Sequence, residues 1–169
     1  MTGAVDRARQ ARSLLERLGS RIPGFSGYLD RELRREVDEL LRRHVADRLD
    51  AARRQVATRI AALTLREGPK VSQLNALAMR LDGLAQRLRA AGAGYAGLFD
   101  AFKVQEEQLE QLYAVDLGLA EAAEELVAVI AGGREGWEDE AERLTERLRQ
   151  AIEARPGVVR GVVDAGRSA

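Results

Sequence analysis

Between Tyr28 and Glu67 the chain runs without a single glycine or proline. Across that stretch Leu29, Leu33, Val37, Leu40, Leu41, Val45, Leu49, Ala52, Val56, Ile60 and Leu63 recur at steps of mostly three and four. That period gathers side chains on one face of an α-helix, and Arg, Asp and Glu fill the other faces. Gly68-Pro69 ends the run, because proline brings no backbone donor. The spacing predicts one helix over about residues 28–67, about 57 Å long at the α-helical rise. A helix of that length cannot bury its own stripe, so other helices must lie along it.

The flanking sequence supplies them. Residues 4–19 carry Val5, Ala8, Ala11, Leu14, Leu15 and Leu18 on one helical face, closed by Gly19-Ser20. In the loop RIPGFSGYLDRE, Pro23-Gly24 and Ser26-Gly27 are turn signals, and Ile22 and Phe25 are expected to tuck against neighbouring helices. Residues 71–91 hold Val71, Leu74, Leu77, Leu81, Leu84 and Leu88, a helix returning antiparallel to the long one, with Gly92 expected opposite about residue 46. A further helix is predicted from near Gln105 to Ala131, on Leu109, Leu112, Val115, Leu119, Ala123, Leu126 and Ile130, and it ends at Gly132-Gly133. A last one covers about 136–154 on Trp137, Ala141, Leu144, Leu148 and Ile152, and Pro156-Gly157 is expected to stop it. The predicted fold is all-α: an antiparallel helical bundle, or coiled-coil-like hairpin, built on the long helix. One domain over 1–155 is followed by a loose tail over 156–169.

Composition narrows the chemistry. Of the 169 residues 46% are apolar and 32% charged, but only 4% are aromatic, which favours Leu/Ala/Val helix packing over a sheet sandwich. The absence of cysteine excludes disulfides, thiolate catalysis and Cys-ligated metals. No apolar run is long enough to span a bilayer, and MTGAVDRARQ lacks a signal-peptide core, so the cytoplasm is the expected compartment. Net charge is zero yet uneven: residues 1–66 hold 15 Arg against 9 acids, and residues 100–154 hold 5 basic against 15 acidic residues. A basic first half is expected to pack beside, or dimerise with, an acidic second half. Arg outnumbers Lys by 25 to 2, and with the abundant alanine this reads as coding bias.

Reactive constellations are scarce in the sequence. His44 is the sole histidine, which cannot furnish the paired Glu-x-x-His motifs of a di-iron bundle or the two histidines of a helical zinc site. A phospho-accepting His44 lacks small, basic neighbours in HVADRL, so a solvated or half-buried helix histidine is expected. Glu106, Glu107, Glu110 and Asp116 could face a hard cation, Glu106 and Glu110 sharing a face at i,i+4, but a solvated helix face is the expectation. Gly92-x-Gly94-x-x-Gly97 matches a dinucleotide string without the strand–turn–helix context that gives it meaning. No phosphate-binding loop or Gly-x-Ser-x-Gly elbow is present. The Arg-rich helices interleave acids and lack aromatic stacking platforms, which argues against nucleic acid. No cofactor and no metal is expected.

Two glycine- and aromatic-bearing stretches remain, RIPGFSGY and GYAGLFDAF. The three glycines at 92, 94 and 97 disfavour regular helix, so a kink or short separate turn is expected over residues 92–104. Phe25, Tyr28, Tyr95, Phe99 and Phe102 either meet as a plug in a Leu/Ala core or, with Asp100 and the tyrosines as polar handles, form a partner- or ligand-docking site.

The segments IPGFSGYLDRELRRE and GYAGLFDAFKVQEEQLEQLYAVD resemble signature segments of an uncharacterised family of bacterial helical proteins, a likeness covering about residues 20–130. It implies a helical fold and carries no activity and no catalytic residues. The expected function is that of a non-enzymatic helical interaction or scaffold protein, a homo-oligomer or bound to other proteins. One alternative is a peripheral membrane adaptor of the envelope-stress coiled-coil type, holding anionic lipid through residues 4–18, with Arg7, Arg9, Arg12 and Arg17 beside the leucines. The other is a small-molecule or metal-dependent enzyme around Asp100, Tyr95 and His44.

Overall fold

A computed structural model of the chain describes residues 2–92, 97–99 and 104–167. Among the described residues the regular structure is entirely helical. Helix α1 covers Thr2–Arg21, α2 Arg34–Ala61, α3 Gly68–Ala90, α4 Glu110–Gly132 and α5 Trp137–Arg167, with short 3-10 turns at Leu65–Glu67 and Glu106–Gln108. No described helix is long and apolar enough to cross a membrane. Residues 93–96 and 100–103, which hold much of the expected kink, lie outside the described residues.

The stripes read from the sequence form the core. Val37, Leu41, Val45, Leu49, Ala52 and Val56 of α2 are buried, as are Leu74, Leu77, Leu81, Leu84 and Leu88 of α3. Leu112, Leu119, Ala123, Leu126 and Ile130 of α4 meet Trp137, Ala141, Leu144, Leu148 and Ile152 of α5 in the same cluster. Each fully buried Leu or Ile contributes about 1.5–3 kcal/mol. Helix α2 packs on both α3 and α4, while α1 packs on α4 and the 3-10 turn before it. Arg53 pairs with Asp82 at 3.8 Å and Arg89 with Asp50 at 2.5 Å, so numbering rises along α2 as it falls along α3. The two helices are antiparallel.

The expected helix over 28–67 is shorter at both ends. At its start, Tyr28 is drawn into the core and the chain turns, with Leu33 N–H donating to Asp30 C=O and Glu32 N–H to the Asp30 side chain. Leu29 and Leu33, expected on the stripe, are left 44% and 38% exposed. At the far end Thr64 is extended, and Glu67 accepts from both its N–H at 2.9 Å and its hydroxyl at 3.1 Å. Thr64-x-x-Glu67 is a capping box, a start signal that outcompetes the continuing apolar pattern. Gly68-Pro69 therefore opens α3, where proline is tolerated in the first turn. Gly92 lies against the Arg42 guanidinium, about one turn from the expected position 46.

The expected tail is also helix. Pro156 sits inside α5, which continues to Arg167 with Val159, Val162 and Val163 buried. Proline removes the bond to the Ile152 carbonyl. The valine stripe beyond it and the anchored Arg155 just before it hold the helix in line. Residues 156–167 thus belong to the same core as the rest.

The uneven charge is used within the chain. Arg12 pairs with Glu106 at 3.1 Å, Arg17 with Glu121 at 2.7 Å, Arg21 with Glu121 and Glu124, Lys70 with Glu138 at 2.7 Å, Arg80 with Glu142, and Arg87 with Glu153 at 2.9 Å. Three of these basic residues, Arg12, Arg17 and Arg21, come from the basic stretch 1–66, the other three from α3, and every acidic partner lies between residues 106 and 153.

Candidate functional site

The RIPGFSGY loop and Phe99 of the second glycine/aromatic stretch meet at the start of α2. Gly27 adopts φ +85°, and a Cβ there would stand 2.5 Å from the Tyr113 hydroxyl oxygen and 3.0 Å from Leu15. Only glycine lets the loop pass this close, and its passage delivers the Tyr28 N–H to the Tyr113 oxygen at 3.0 Å. Tyr28 then stacks between Phe99, at 5.6 Å, and Tyr113, at 5.7 Å, while Phe25 meets both tyrosines edge-on. Such contacts add about 0.5–1.5 kcal/mol each beyond area burial. Arg34 ties the two stretches together: it donates through Nε to the Tyr28 carbonyl at 2.6 Å and through Nη1 to the Phe99 carbonyl at 3.1 Å.

Beneath the rings lies a buried ionic network. The Tyr28 hydroxyl donates to Asp116 Oδ2 at 2.6 Å and accepts from Arg155 Nη2 at 3.0 Å. Arg155 also donates through Nε to Asp116 Oδ1 and through Nη1 to Asp38 Oδ1, both at 2.7 Å. The second oxygen of Asp38 takes Arg42 Nε at 2.8 Å, and Arg42 Nη1 reaches the Leu88 carbonyl at 2.9 Å. Two arginines and two aspartates thus balance in charge, and no described buried side-chain N or O lacks a partner. Pairing of this completeness is what makes buried charge tolerable.

The surroundings set the protonation of these groups. Burial pushes the Tyr28 phenol well above its usual value, reinforced by Asp116 and opposed by Arg155. Tyr113 is pushed up to about 12 by burial, partly offset by the N–H of Tyr28. Burial pulls Arg155 down, but Asp116, Tyr28 and Asp38 outweigh it and hold the guanidinium well above its usual value. At Asp116 burial dominates instead and raises the carboxyl, against Arg155 and the Tyr28 hydroxyl.

Of the residues expected at a site, Phe25, Tyr28 and Phe99 are brought together, 6%, 1% and 4% exposed. They form part of a filled core rather than the lining of an open pocket. Tyr95, Asp100 and Phe102 lie outside the described residues. Asp116 leaves the expected acidic face altogether and is fully buried, while Glu106 turns to Arg12. His44 is half-buried, its Nε2 3.3 Å from Glu124 Oε1. Among the described residues no three His, Asp or Glu side chains converge as a metal-ligand set. Sequence reasoning missed Arg34, Asp38, Arg42, Tyr113 and Arg155.

A second cluster marks the opposite end of α2. Arg59 donates to the Ile130 carbonyl at 2.9 Å and the Ala131 carbonyl at 2.7 Å, and its guanidinium carbon lies 5.7 Å from the centre of the Trp137 ring. A cation is placed on the negative end of α4 and over an aromatic face at once. Gly133, left-handed at φ 58°, closes α4 directly beneath it.

No protein-family model, no curated protein and no solved structure matches this chain.

Proposed function

We propose that the chain is a non-enzymatic interaction protein, an antiparallel helical bundle that works in the cytoplasm through protein–protein contact. The observation that carries this reading is how its ionisable groups are engaged. Asp38, Asp116, Arg42 and Arg155 hold one another inside the core. The basic residues of α1 and α3 hold the acidic ones of α4 and α5 across helix seams. Meanwhile large apolar side chains, Val5, Leu29, Leu33 and Met79, face outward. Charge used for cohesion and apolar groups left at the surface suit recognition of another protein better than turnover of a substrate.

The lipid-adaptor reading has less support. Arg12 and Arg17 are paired with Glu106 and Glu121, and Ala11 and Leu18 of the same helix are buried against the body.

Native mass spectrometry of the chain isolated from its own host tests the proposal. The expected spectrum is a whole number of protein chains, two or more, without adducts. A persistent lipid, metal or small ligand, or a bare single chain alone, would overturn it.

A further inference from the structure

Among the described residues, helix α3 packs on two other helices. It rests on α2 and, along a thinner seam, on α5. The outer face of the α2–α3 pair carries an open groove of about 420 Å³, floored by Ala57, Ile60 and Ala78. Met79 stands at its edge, 76% exposed, more than any other large apolar side chain described. One face therefore bears both a knob and a shallow hole. Arg54 lines the α2 side of the groove and makes no ion pair among the described residues. Asp82, its side chain 43% exposed, lines the α3 side.

From this we infer that the occupant of the groove is a second copy of the chain, docked about a twofold axis running along the α2–α3 pair. The inference rests on the reading of the chain as an interaction protein and names its partner and surface.

Three features of the face fit that symmetry. An isologous interface must be self-complementary, and a twofold parallel to the helices lays the α2 of one copy over the α3 of the other. Because Arg53 pairs with Asp82 across the seam, positions 54 and 82 lie at nearly the same height, and Met79 lies about level with Ala57. The operation therefore sets each Arg54 over the other copy's Asp82, and each Met79 into the small-residue hollow at Ala57. The alternative twofold, across the helices, would lay α2 on α2 and bring the Arg53–Arg54 pairs together. Like charge disfavours it. The resulting arrangement is a four-helix bundle of two stacked pairs, with alanines at the crossing permitting close approach.

The experiment is sedimentation equilibrium on the full chain and three variants, with circular dichroism confirming that each keeps its helix content. The wild-type chain is expected to reach a mass of two chains. Met79→Glu should weaken association by about tenfold or more, a charge being placed where an apolar knob was buried. Arg54→Asp alone sets acid against acid at both contacts, and Asp82→Arg alone sets base against base, so each is expected to sediment as a single chain. Mixed in equal amounts, those two variants restore both opposite-charge contacts and should form a heterodimer. A wild-type chain that stays single at every concentration overturns the inference, and so does a dimer indifferent to Met79→Glu or a mixture that fails to pair. Failure here with a second protein present in the native mass spectrum would leave the interaction reading standing and remove only the self-docking face.

Discussion

Arg155 Nη2 donates to the Tyr28 hydroxyl oxygen at 3.0 Å, joining positions 127 apart in the chain. The same guanidinium holds Asp38 and Asp116, so its loss leaves Asp116 buried with only the Tyr28 hydroxyl and Asp38 with only Arg42. Arg155→Met is expected to cost about 3–5 kcal/mol, the cost of breaking a buried pair on one side. Tyr28→Phe removes one donor from Asp116 and should cost about 1–3 kcal/mol. Urea denaturation midpoints measure both, and an Arg155→Met loss below that of Tyr28→Phe would contradict the geometry.

Gly27 has no room for a side chain. Gly27→Ala combines a positive φ with a methyl aimed at the buried Tyr113 hydroxyl, and a loss of about 2–4 kcal/mol is expected. The partner change Tyr113→Phe removes the hydroxyl oxygen and should recover part of that loss when combined with Gly27→Ala. A strictly additive double variant would count against the close approach.

Alkaline pH should unfold the protein through its phenols. Burial holds Tyr28 well above the ordinary tyrosine value and Tyr113 at about 12. A group whose folded pKa exceeds its unfolded one, here about 10, lends stability that is complete below the unfolded value. That stability is lost as pH rises through the folded value. Between about pH 10 and 12 the Tyr113 contribution alone amounts to roughly 2–3 kcal/mol. In a Tyr95→Phe background, phenolate absorbance is expected to rise together with the loss of helical circular dichroism. Phenolate forming near pH 10 with the helices intact would refute burial of these rings.

Arg59 caps α4 and covers Trp137, the sole tryptophan. Arg59→Ala should lower stability by about 1–2 kcal/mol and shift tryptophan emission to the red as the ring loses its cover. Arg59→Lys keeps charge without the planar fork and should recover only part of either effect. Unchanged emission in Arg59→Ala would place the guanidinium elsewhere.

Periodicity alone located the apolar stripes of α2, α3, α4 and α5, because core helices bury one residue in every three or four. It misjudged ends wherever a local bond competes. The Thr64-x-x-Glu67 cap cuts short the stripe that Ile60 and Leu63 continue, and the valines at 159, 162 and 163 carry a stripe past Pro156. The site was less legible. Phe25, Tyr28 and Phe99 could be grouped by composition, yet nothing in the loop announces Tyr113 as their neighbour. The buried charges left a fainter mark: Asp38, Asp116 and Arg155 occupy stripe positions, three or four residues from Leu41, Ala120 and Ile152. In a chain with 25 arginines such intrusions pass for surface. Pairing across α2, α4 and α5 is set by tertiary geometry, which no single helix encodes.

The buried guanidinium also imposes an order on synthesis. Asp38 and Asp116 leave the ribosome well before Arg155, and until it arrives the interior they share holds negative charge without its main counterpart. A nascent chain ending short of α5 is thus expected to stay open and protease-sensitive, closing in one step once α5 emerges. Translation through residue 155 is the step that closes the core: Arg42 can meet Asp38 earlier, but Asp116 waits for the only guanidinium it meets among the described residues.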